Sequence, residues 1–163
     1  MKPYEKESIS LLRAYPGTLN AERTIQEECM ALDEMIRSIK KGMASGKGQS
    51  GESGEPDESE FPETGMAATY EEESQLAQLL HRRDEQRACL MYCMARRRAI
   101  ERALSSLSER ERTVLDLFFV HKPEESHSLD VLMEQLGYEK THIYRIRSDA
   151  LLHFSQQMTA AVP

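Results

Sequence analysis

Between Thr69 and Lys122 the chain contains neither glycine nor proline. A stretch that long without a strong helix breaker can remain helical throughout, and its apolar residues agree. Leu76, Leu79 and Leu80 open an apolar face, and Leu90, Met91, Met94, Ile100, Ala103, Leu104 and Leu107 resume it after the charged run His81-Arg82-Arg83-Asp84-Glu85-Gln86-Arg87. These steps of three and four predict one long amphipathic helix over residues 70–107. A chain organised around such a rod belongs to the all-α class.

Residues 1–41 read as an N-terminal helical segment with a coiled-coil-like seam. Ile25, Cys29, Leu32, Ile36 and Ile39 recur at steps of 4, 3, 4 and 3, one stripe of a helix from about Asn20 to Lys41. Asn20 is a suitable N-cap and Gly42 a suitable stop. A shorter helix, Pro3 to Tyr15, presents Tyr4, Ser8, Leu11 and Leu12 and is expected to break at Pro16-Gly17. A hairpin this narrow buries little, so it should pack on the later helix or on a second copy.

Between the two helical regions lies a change of composition. Residues 42–69 are rich in Gly and Ser, then in Glu and Pro, and read as a flexible linker with too little apolar surface to offset ordering. Residues 48–80 carry nine acidic side chains and no basic one, whereas residues 81–112 carry nine basic and five acidic. The net charge of -7 therefore conceals a basic block in the second half.

Several classes are excluded on residue grounds. The longest apolar run, Ala88 to Ala95, is far short of the roughly 20 residues of a membrane span, so no membrane is expected as a partner. Met1 to Glu7 has no apolar signal core, and three cysteines without paired spacing make no disulfide framework. A reducing cytoplasm is the expected setting. Cys89 and Cys93, at i and i+4, could share a metal, but no second ligand pair lies at zinc spacing, and small buried hydrophobes is the better reading. Arg96-Arg97-Arg98 offers a phosphate-binding stripe, but three consecutive helical residues point in different directions, which suits a solvated face at least as well. No Gly-rich phosphate loop or catalytic signature is present, so neither an enzyme nor a cofactor is expected.

The C-terminal third, residues 108–158, carries the most specific pattern. Ser108-Glu109-Arg110-Glu111 fits a capping box. The helix after it presents Val114, Leu115, Leu117, Phe118 and Phe119, ending near His121-Lys122-Pro123. Glu124 to His127 read as a loop, and Ser128 as the cap of a short helix through Leu136, with Leu129, Leu132, Met133 and Leu136 inward. Gly137 suits the left-handed turn that follows. A last helix from Glu139 or Lys140 buries Ile143, Ile146, Ala150, Leu151 and Phe154. The two helices and their turn form a helix-turn-helix pattern.

Leu107-Ser108-Glu109-Arg110-Glu111-Arg112-Thr113-Val114-Leu115 resembles the opening of region 4 of sigma-70-type factors. Ser128 to Tyr138, with Thr141 to Arg147 and Ala150-Leu151, is similar to its helix-turn-helix. Nearest in pattern are phage-encoded sigma-like regulators of the ArpU and RinA type. The resemblance covers residues 98–156 and implies a regulator of phage or prophage transcription that binds double-stranded DNA. Lys140, Thr141, His142, Tyr144 and Arg145, near the start of the last helix, would face base edges, with Arg145 the leading base reader and Ser148 on the same outward, DNA-binding face. Lys140, Arg147 and Arg112 would contact phosphates. Residues 128–154 hold three basic side chains against four acidic ones, so a homodimer, the basic block or RNA polymerase would have to assist. That balance also suits an alternative, a sigma-like module that docks on RNA polymerase or another phage protein without reading DNA. A small terminase-type packaging subunit is a further alternative.

Overall fold

In a computed structural model the described residues are 2–46, 63–121 and 125–160, and all the elements among them are helical. Helix α1 spans Pro3–Gly46 and α2 spans Glu63–Ser105; α3 (Glu109–Leu115) runs directly into a π-helical turn at Asp116–Val120. Helix α4 is Glu125–Leu136 and α5 is Lys140–Ala160.

Two compact units divide the chain. One comprises residues 1–22 and 92–163, the other residues 23–91. They do not follow the divisions read from sequence, because the start of α1 shares a core with the C-terminal helices. In that core Leu12 packs with Ile100, Ala103 and Leu107, with Leu115 and Phe119, and with Ala150, Leu151 and Phe154. A second cluster joins Val114 to Leu129, Leu132 and Ile143. Helix α3 and the π-turn are the wall between the two, since Leu115 and Phe119 face the first cluster and Val114 the second. Phe118 contributes to both. Each Val, Leu, Ile or Phe side chain taken from water in this way contributes about 1.5–3 kcal/mol before entropic costs.

The unit of residues 23–91 is simpler. Cys29, Leu32 and Ile36 are its buried side chains among the described residues, and they lie on the stripe expected from sequence. Asp33 accepts from both Arg87 (3.0 and 3.2 Å) and lies 3.9 Å from Arg83. Helix α1 therefore packs on the later helix.

Several expectations are corrected. Pro16-Gly17 does not break α1: Pro16 is inside it. A proline there forfeits one backbone bond and costs about 3 kcal/mol, but α1 is anchored on both sides of it within one unit. Leu12 is buried, the Tyr15 hydroxyl donates to Glu101 (3.1 Å), and Glu22 accepts from Arg97 (2.7 Å). Burial, then the bond and charge of Glu101, push the Tyr15 hydroxyl above its ordinary pKa. The expected linker at 42–69 is helical at both its ends, since α1 extends to Gly46 and α2 begins at Glu63; residues 47–62 lie outside the described residues. Cys89 is exposed and Cys93 half-buried, so they are not core residues, and Met91 is 70% exposed. Residues 125–127 belong to α4, not to a loop. Ser128 is accordingly buried within that helix, not its cap, and Met133 is 37% exposed rather than buried.

Candidate nucleic-acid interface

The geometry of the candidate surface starts at the α2–α3 corner. Ser108 is the N-cap of α3, and its hydroxyl accepts from the Glu111 backbone N–H while the Glu111 carboxylate accepts from the Ser108 N–H (3.0 Å) and hydroxyl (2.7 Å). His153 of α5 closes on the same carboxylate at 2.6 Å. Burial opposes ionisation of Glu111, but the Ser108 bonds and His153 outweigh it, so its carboxyl lies below the ordinary range. The capping box thus ties α3 to α5 as well as starting α3.

Gly137 then sets the angle between α4 and α5. Its φ is +68°, a conformation open to glycine at little cost, and its N–H closes on the Met133 carbonyl at 3.0 Å. Two residues later the Glu139 backbone carbonyl accepts from the His142 and Ile143 amides in the first turn of α5. Ile143 is fully buried and anchors the start of α5 on α3 and α4.

Once Ile143, Ala150 and Phe154 face the core, helical periodicity fixes the rest. Thr141, Arg145 and Ser148, at i, i+4 and i+7, lie on the opposite side, and all three are exposed. Arg145 makes no hydrogen bond or ion pair among the described residues. The Ser148 hydroxyl donates to the Tyr144 carbonyl at 3.2 Å. Lys140 is exposed, with its ammonium 6.0 Å from the Tyr144 ring. His142 is half-buried against Tyr138, ring centres 4.5 Å apart.

Two arginines sit differently from the sequence reading. Arg112 donates through Nε and Nη2 to the carbonyls of Leu104 and Ser105, both at 3.1 Å, so it closes the C-terminal end of α2 and is no part of the exposed α5 face. Arg147 lies over two neighbouring aromatic rings, 4.8 Å from the centre of Tyr144 and 5.4 Å from that of Phe118. A further residue, Arg110, is exposed and stands 5.7 Å over the Tyr138 ring beside the first turn of α5. Nothing local to the capping box signals that placement, because Tyr138 is 28 positions away.

Of the three consecutive arginines of α2, Arg97 is held by Glu22 and Glu101, bonds that raise its pKa further. Among the described residues no group of three or more His, Cys, Asp or Glu is placed to hold a metal, and no helix there is long and apolar enough to cross a membrane. No protein-family model, curated protein or solved structure matches this chain.

Proposed function

We propose that the α4–α5 helix-turn-helix binds double-stranded DNA and that the chain is a sequence-specific regulator of phage or prophage genes, working in the cytoplasm. The observation that carries this reading is the uncovered stripe Thr141–Arg145–Ser148, standing on a helix whose opposite side is locked into two cores. A helix so presented suits the major groove, where an unengaged arginine can take guanine O6 and N7 together. Lys140 and Arg110 flank the stripe as phosphate contacts, and His142 and Tyr144 form its edges.

The test is fluorescence anisotropy of the full chain with labelled duplexes from the region flanking its gene. Affinity should fall steeply with salt, and Arg145→Ala should weaken specific binding about 5- to 150-fold, the range for one bidentate base contact of about 1–3 kcal/mol. No binding at any salt would contradict the proposal.

The acidic balance of residues 128–154 favours a second reading, in which the module docks on RNA polymerase. Co-purification with polymerase, without a DNA shift, would select it. A homodimer would supply the missing positive charge by doubling the contacts.

A further inference from the structure

We propose that Arg147 is a positioning residue for the reading face: it fixes the Tyr144 ring and makes no phosphate contact itself. The inference rests on the DNA-binding reading above and assigns the roles of two residues within that surface.

The first ground is angular. Arg147 is two positions beyond Arg145, about 200° around the helix at 3.6 residues per turn, so the two guanidinium groups leave α5 on nearly opposite sides. Arg145 is exposed and Arg147 half-buried, as that angle requires.

The second ground is the environment of the guanidinium. A phosphate-binding arginine offers a fork of N–H donors to the anion. In Arg147 one edge of that fork is closed: Nε is shut off from solvent and has no hydrogen-bond partner. An unpaired buried donor is costly. Stacking on two π-faces, Tyr144 at 4.8 Å and Phe118 at 5.4 Å, offsets that cost.

The third ground is the π-turn. It holds Phe118 so that its ring centre lies 6.1 Å from that of Tyr144, and Arg147 contacts both rings. Lys140, one turn earlier than Tyr144, lies over the same ring. Tyr144 is thus braced from the core side by Phe118 and Arg147, and its remaining exposure, 36%, borders the stripe of Arg145. Loss of Arg147 should release the ring without removing a neutralised phosphate.

The experiment compares the full chain with its Arg147→Ala and Arg147→Met variants, using labelled duplexes from the gene-flanking region and the Tyr144 ring signal in the NMR spectrum of the free protein. Methionine keeps a side chain able to stack on aromatic rings and removes the charge. Arg147→Ala should weaken binding about tenfold and shift the Tyr144 signal toward that of a solvated tyrosine. Arg147→Met should stay within about threefold of wild type and leave the ring signal near its place. In both, the slope of log affinity against log salt should be unchanged, whereas losing one phosphate contact would lower it by about 0.9.

A slope reduced by that amount in Arg147→Met, or a Tyr144 signal indifferent to Arg147→Ala, would overturn the proposal. Should Arg147→Ala fail to fold, the Met variant still decides through the salt slope. A wild-type chain that binds no duplex overturns the DNA-binding reading instead, and the ring signal then reports separately whether Arg147 braces Tyr144.

Discussion

The two compact units draw on the same long helices, α1 and α2, yet they are held together by different means. Residues 2–22 and 92–160 close around two apolar clusters in which Leu12, Ile100, Val114, Leu115, Leu132, Ile143 and Phe154 lose essentially all contact with solvent. Residues 23–91 rely on one narrow seam, Cys29, Leu32 and Ile36, supported by ion pairs around Asp33. A pair of helices can hide only the facing stripe of each, which leaves Met30, Met35 and Met91 more than half exposed. Helices crossing from several directions can enclose a side chain completely. A helix that is to read a duplex must be immobilised from behind, and a two-helix seam offers no such backing, whereas α5 of the first unit has it.

The largest effect is expected at Phe154, which is fully buried where α5 meets the first core. Phe154→Ala should cost about 3–5 kcal/mol, read as a lowered urea midpoint. Leu32→Ala acts in the other unit and should cost about 2–3 kcal/mol, toward the low end for such truncations because a thin seam can collapse around the gap. Its loss of hydrogen-exchange protection should be confined to residues 23–91. Protection lost equally across residues 92–160 would mean that the two units do not open independently.

A smaller effect sharpens the account of the α2–α3 corner. Ser108→Ala should destabilise by about 1 kcal/mol through loss of the cap. Because the Glu111 carboxyl is held below its ordinary value in the folded chain, its contribution is complete above the unfolded pKa of about 4.3 and is lost as pH falls through the lower folded value. Glu111→Gln should therefore flatten the acid limb of the stability profile, measured by denaturation at pH 5 and below. The smallest effect is expected at the exposed pair of the second unit, where Arg87→Ala should cost only a few tenths of a kcal/mol, visible as a minor shift in thermal midpoint.

What was legible in the sequence was whatever the chain specifies over a few residues. Ser108 and Glu111 are three apart and formed the capping box as read; Gly137 required a left-handed turn and has one; the stripe of Ile143, Ala150, Leu151 and Phe154 is buried as its spacing implied. What failed depended on partners distant in sequence. Pro16 has the local signature of a break, but Leu12 packs with Ile100, Tyr15 bonds to Glu101 and Glu22 pairs with Arg97. Arg112 and Arg147 look like surface cations until the Leu104 and Ser105 carbonyls and the Phe118 ring come into position. Arg110 joins the candidate surface only through Tyr138. Nothing in the residue types themselves distinguishes an arginine that reaches outward from one that is stacked or capping.

We propose that the exposed side of α5 meets a duplex while the seam of residues 23–91 does not. Hydrogen-exchange mass spectrometry of the full chain, with and without a gene-flanking duplex, tests it directly. The account predicts added protection over residues 138–148 and around Arg110, with residues 23–91 unchanged. Protection gained in residues 23–91 with none over 138–148 would contradict it.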